Sequence, residues 1–132
     1  MGETDRTVST PGRRAAALRA QRLVVIASPD AAALGRVVML DAPLEIGRAG
    51  HAEGPLALAD SELSRRHAAL EREAATGTWW LTDLGSRNGT YVGGAPQSRA
   101  GLIDQDVVRV GATLLLYEAV ELPPDAPIAA AE

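Results

Sequence analysis

The chain has 132 residues, 46% of them hydrophobic, and a formal net charge of −4. That length holds one domain with a real core and is short for two. The acidic balance argues against nucleic-acid binding, the lack of cysteine removes disulfides and thiolate metal sites, and two histidines alone argue against structural zinc. Aromatics are 3% and phenylalanine is absent, so the core must come from Val, Leu, Ile and Ala, with Trp79 and Trp80 as its expected large rings. All 13 basic residues are arginine, so any anion site must use guanidinium, which grips phosphate in a forked geometry. No apolar run reaches the roughly 20 residues of a membrane span, and no apolar signal region opens the chain, so the expected setting is cytoplasmic, away from membranes.

Residues 1–21 carry Ser, Thr, Pro and Gly and then Arg13, Arg14 and Arg19 among alanines, which predicts a flexible leader with a short helical turn near Ala15–Arg19. Arg22–Ala27 is rich in β-branched residues and stops at Ser28-Pro29-Asp30, as a strand does. Arg36–Leu40 and Pro43–Ile46 flank a turn at Asp41-Ala42, and Leu56–Leu58 is a brief apolar alternation. Alanine, arginine and glutamate over Ser61–Ala75 favour helix, but Leu63, Ala68 and Leu70 keep no 3.6-residue period. A loop followed by a strand, His67–Glu73, is the better reading. Thr78–Asp83 answers it across Thr76-Gly77. Gly93-Gly94 predicts a tight hairpin between Thr90–Val92 and Gln97–Arg99, and Gly111-Ala112 another between Val107–Val110 and Thr113–Val120. Gly101–Asp106 reads as a loop whose Asp104 and Asp106 cap loop N–H groups. Glu121–Glu132 has the Pro/Ala composition of a linker, and with connectors at both flanks a segment of a longer protein is expected. The pattern predicts an all-β fold over residues 22–120, a twisted sandwich of two mainly antiparallel sheets with about ten or eleven short strands. Loops gathered at one end of such a sandwich are where a binding site belongs.

Three stretches carry chemistry. Gly47-Arg48 ends a strand, where glycine permits a sharp turn and the guanidinium projects with five donors; alone, it reads as well as a surface arginine. Ser64-Arg65-Arg66-His67 offers a hydroxyl and an adjacent backbone N–H for one phosphate oxygen. There His67 is suited to pin the neighbouring loop, and the two arginines should point apart. Gly85-Ser86-Arg87-Asn88-Gly89-Thr90 contains an Asn-Gly turn favouring positive φ. An asparagine amide on such a turn can pair with both faces of an extended peptide backbone. A solvated loop and a plain hairpin remain open readings of these two stretches taken singly. His51 reads as a solvated loop residue. A Ser/His pair three apart lacks an acid and an oxyanion turn, and no nucleophile elbow occurs.

In this order and at these gaps, the three stretches resemble the phosphopeptide-reading loops of a forkhead-associated (FHA) domain of bacterial type, over about Leu23 to Val120. The resemblance implies that Arg48 and Ser64 hold a phosphate, with Arg65 beside it contributing its N–H. Asn88 would fix the peptide backbone on the C-terminal side of a phosphothreonine, and Gly47, His67 and Gly89 would support the loops. Arg87 stands where many members have threonine or serine, which implies either a second guanidinium on the phosphate or a shifted specificity. Ala49–Ala59 departs from the usual short acidic loop.

The implied function is a non-catalytic module that binds phosphothreonine proteins marked by a Ser/Thr kinase, without cofactor, metal or direct nucleic-acid contact. The alternative is a phosphate-independent module docking another domain of its own chain. Thr4, Thr7 and Thr10 allow a variant in which the phosphorylated N-terminal tail folds onto its own pocket. A leader, such a domain and a Pro/Ala linker also resemble the N-terminal part of sigma-54-dependent transcriptional regulators.

Overall fold

A computed structural model describes residues 18–122. The leader reading over 1–17, its helical turn, and the linker reading over 123–132 lie outside the described residues. The body that carries the candidate site is Gln21–Ala119.

Short β-branched and apolar stretches between glycine turns form strands in sequence order: β1 Leu18–Ala27, β2 Val37–Met39, β3 Leu44–Arg48, β4 Ala57–Leu58, β5 Ala68–Arg72, β6 Trp79–Asp83, β7 Thr90–Val92, β8 Ala95–Pro96, β9 Arg99–Gly101, β10 Val107–Val110 and β11 Thr113–Leu122. They build a five-stranded sheet, β9-β6-β5-β3-β4, and a six-stranded sheet, β2-β1-β11-β10-β7-β8. In the first sheet β3 and β4 run parallel and the other pairs antiparallel. In the second, β1/β2, β7/β10, β10/β11 and β7/β8 are antiparallel. This is the expected β-sandwich.

Side chains of a strand alternate between faces, and the inward set of each sheet is apolar. Leu23, Val25, Val38, Val108, Val110, Leu115 and Tyr117 come from the six-stranded sheet, and Ile46, Leu58, Ala68, Leu70, Trp79 and Leu81 from the five-stranded one; all belong to one buried cluster. Each large aliphatic residue so buried contributes about 1.5–3 kcal/mol by leaving water. Trp80 is not among them. It lies on the opposite face from Trp79, half-buried, with its indole N–H on Glu73 at 3.0 Å and Arg99 stacked 3.8 Å from the ring centre. Tyr117 is the second large ring of the core.

The Thr76-Gly77 and Gly111-Ala112 hairpins form as predicted. At Gly93-Gly94 the turn is right, but its return strand is Ala95–Pro96, not Gln97–Arg99. By Ser98, whose carbonyl accepts the Asp83 amide, the backbone has crossed to the other sheet, and Arg99–Gly101 pairs with β6. Gly101 is therefore strand and not loop. Strand β1 starts before Arg22, at Leu18, and β11 continues past Val120 to Leu122. Ser61–Ala75 is loop, strand and turn, without helix.

Register decides where the loops meet. Ile46 pairs with Ala68, and Ala68 with Asp83. The C-terminal end of β3, the N-terminal end of β5 and the C-terminal end of β6 therefore lie at one end of the sheet, and the loops holding the three candidate stretches emerge together.

Candidate functional site

Arg48 is the last residue of β3, in the strand and not beyond it, and pairs with Leu58 of β4. Its amide is shared between the carbonyls of Ser64 at 3.1 Å and Arg65 at 3.3 Å, which ties the strand end to the β4–β5 loop. Gly47 serves a different purpose from the expected sharp turn: its φ is not positive. A Cβ there would overlap the Arg65 carbonyl oxygen and stand 2.8 Å from Ala52 Cβ. Glycine is required by close approach of two backbones.

His67 is fully buried. Its Nδ1 accepts the Ser64 amide at 3.1 Å, so the ring proton sits on Nε2, which donates to the Gly89 carbonyl at 2.9 Å. One imidazole thus clips the β4–β5 loop to the β6–β7 loop. The Ser64 hydroxyl makes a second clip, accepting the Arg87 amide at 2.9 Å. The Ser64 N–H is taken by His67, whereas the next amide, that of Arg65, has no acceptor among the described residues.

In the β6–β7 loop Gly89 has φ 85°, whereas Asn88 keeps a negative φ, so only the glycine of the Asn-Gly pair adopts the left-handed conformation. The Asn88 Nδ2 donates to the Glu62 carbonyl at 2.9 Å, and Arg87 Nη2 reaches the Ser61 carbonyl at 3.4 Å. The loop is held from inside by Asp83. Its carboxylate accepts the Gly85 and Ser86 amides, both at 3.0 Å, the Ser86 hydroxyl, and the Thr90 hydroxyl at 2.7 Å; the Ser86 hydroxyl in turn accepts the Gly89 amide. Burial works to raise the Asp83 pKa, but these hydrogen bonds, led by the Ser86 and Thr90 hydroxyls, outweigh it and hold the carboxyl below its ordinary value.

The structure therefore brings Gly47, Arg48, Ser64, Arg65, His67, Arg87, Asn88 and Gly89 to one end of the molecule. The ion pairs of the described residues are Arg22–Glu118 and Arg66–Glu45; among those residues Arg48, Arg65 and Arg87 face no carboxylate within ion-pair range. Arg66 points away, as alternation predicts. His51 is exposed. Among the described residues no three His, Cys, Asp or Glu side chains gather as a metal set.

Two supporting acids do not stand out in the sequence. Asp83 is followed three residues later by Ser86, a local Asx-type signal that was available. Asp60 is buried and accepts the Glu62 amide at 3.0 Å, the Ala112 amide at 2.9 Å and the Thr113 hydroxyl at 2.8 Å. Its local contact is an Asx turn of the same kind, but its link to the β10–β11 hairpin had no signal.

Fold and site together define a β-sandwich recognition module with an arginine-rich face built on loops. The FHA-domain family profile matches residues 44–111. The chain is 38% identical over 96 residues to an oxoglutarate dehydrogenase inhibitor of Corynebacterium diphtheriae, covering 72% of this chain and 62% of that protein. It is likewise 38% identical over 96 residues to the glycogen accumulation regulator GarA of Mycolicibacterium smegmatis, covering 72% and 56%. A solved FHA structure from work on phosphothreonine-dependent FHA domain interactions matches with 31% identity and a TM-score of 0.62, over 75% of this chain and 95% of that one. The chain belongs to the FHA-domain family. The matched region spans less than two-thirds of these curated relatives' own length.

Proposed function

We propose that this chain is a non-catalytic signalling module that binds a phosphothreonine-bearing protein segment. The observation that carries the reading is the meeting around Ser64 of three arginines that have no acid partner among the described residues, at the loop end of an FHA fold. Arg48 and the Ser64 hydroxyl hold the phosphate, with the free Arg65 amide beside them, and Arg87 adds a further guanidinium at the rim. Asn88 holds the peptide backbone beyond the phosphothreonine. Support comes from the family, and from a solved relative described as phosphothreonine-dependent. A charge-assisted hydrogen bond contributes about 1.5–3 kcal/mol. Removing the forked Arg48 donors should therefore weaken binding about tenfold or more. Calorimetry with a phosphothreonine peptide, its unphosphorylated twin and Arg48→Ala tests this. Equal binding of the twins, or equal binding by wild type and Arg48→Ala, would overturn it.

The partner is then a substrate of a Ser/Thr kinase, and the setting is the cytoplasm, where such kinases find ATP. The relatives carry the names of metabolic regulators, which favours a regulatory protein of that kind as the parent. The sigma-54 setting rests on the composition of the ends alone. The self-binding variant concerns Thr4, Thr7 and Thr10, which lie outside the described residues; NMR of the phosphorylated protein, with tail signals unshifted, would exclude it. The phosphate-independent docking alternative predicts that the unphosphorylated twin binds equally.

A further inference from the structure

Beside the arginines, the same face carries an acid fixed in place. The Glu62 backbone is held from both sides: its amide by the Asp60 carboxylate at 3.0 Å, its carbonyl by the Asn88 side chain at 2.9 Å. The Glu62 side chain is exposed, and its carboxylate has no hydrogen-bond or ion-pair partner among the described residues. Arg87, whose guanidinium reaches the Ser61 carbonyl next to Glu62, makes no ion pair with Glu62. A peptide whose backbone Asn88 held would lie beside the Glu62 residue, because Asn88 donates to the Glu62 carbonyl itself. The face thus carries both signs of charge, positive at Arg48, Arg65 and Arg87 and negative at Glu62. Glu53, also exposed and without a partner among the described residues, lies on the separate β3–β4 loop, five residues beyond Arg48 in the chain.

We propose that Glu62 makes this site select phosphothreonine segments that carry an arginine or lysine C-terminal to the phosphate, an inference that rests on the phosphothreonine reading above. The phosphate anchors the ligand, and the cation pairs with a carboxylate whose backbone is already pinned.

The test uses phosphothreonine peptides identical except for Arg, Ala or Glu at each of the four places after the phosphothreonine, and an unphosphorylated twin of each Arg peptide. Binding is measured by fluorescence anisotropy on wild type, Glu62→Gln, Glu62→Arg and, as a control, Glu53→Gln. At one place Arg should bind about two- to fivefold tighter than Ala, as expected of a solvent-exposed ion pair, and the gain should shrink at high salt. Glu62→Gln should abolish the gain, Glu62→Arg should transfer it to the Glu peptide, and Glu53→Gln should keep it. Phosphopeptides that bind with no gain from Arg at any place, or a gain that survives in Glu62→Gln, would overturn the assignment and leave the phosphothreonine reading standing. Equal binding of phosphorylated and unphosphorylated twins would remove both.

Discussion

Ser64 and Arg87, 23 residues apart, are joined by one hydrogen bond in which the Arg87 amide donates to the Ser64 hydroxyl at 2.9 Å. The serine is thus a fastener between two loops as well as a candidate phosphate ligand. The hydroxyl oxygen accepts from Arg87 while its own proton stays available to a ligand. Ser64→Ala should lower stability by about 0.5–1.5 kcal/mol and weaken phosphopeptide binding in excess of that. Urea denaturation and calorimetry on one preparation separate the two effects. A loss of affinity with unchanged stability would mean that the loop link contributes nothing.

Gly47→Ala should be more damaging than any loss of a surface charge. The added methyl overlaps the Arg65 carbonyl, which is backbone and cannot rotate aside. Strand β3 and the β4–β5 loop must separate, breaking the Arg48 amide bonds to Ser64 and Arg65. Overpacking of this kind costs about 1–3 kcal/mol, and Arg48 and Ser64 should lose their alignment together. A thermal melt matching wild type would contradict this close approach.

Asp60 links the loop bearing Glu62 and Ser64 to the β10–β11 hairpin through Ala112 and Thr113. Asp60→Ala leaves the buried Thr113 hydroxyl and two part-buried amides without this acceptor and should cost about 2–4 kcal/mol. Thr113→Val removes one donor and should cost about 1–3 kcal/mol. A double-mutant cycle should return a coupling of about 1 kcal/mol or more; additive losses would show that the two side chains do not interact.

Asp83 sets an acid limit on stability. Its pKa is lowered in the fold, so its contribution is present above the ordinary aspartate range and is lost as pH falls through the lower native value. Glu45, Glu73 and Asp104 are lowered too, through hydrogen bonds from Arg66, from Trp80 and Thr76, and from the Ala119 amide, but they are open to water, where such pairs contribute little. Urea midpoints should fall as pH drops below about 4. Asp83→Asn should be less stable at pH 7, with the gap to wild type closing as pH drops toward about 3. A gap constant across that range would assign the acid sensitivity elsewhere.

Local chemistry makes much of this readable in advance. Gly111-Ala112 and Thr76-Gly77 mark their hairpins because a tight turn needs few residues and special φ angles. Alternation places Val108 and Val110 inside and Arg109 outside. What escapes the sequence is long-range. Nothing near Gln97–Arg99 announces that the backbone leaves one sheet for the other at Ser98. Trp79 and Trp80 are adjacent, so a strand must send them to opposite faces, and that alternation is enough to remove Trp80 from the core. Gly47 reads as a turn residue because sequence shows no neighbour; its true constraint is Arg65, 18 positions away in sequence and in contact across the fold. Asp60 reads as one more loop acid until the hairpin that covers it is in place.

The clips formed by His67 and by the Arg48 amide fasten the backbone of the β4–β5 and β6–β7 loops, so on association these loops have little main-chain freedom to surrender. Apart from the ordering of long side chains such as Arg48, the main loss belongs to the incoming peptide. A phosphothreonine macrocycle locked in an extended shape should therefore outbind its linear counterpart, and the improvement should appear in the entropy of binding.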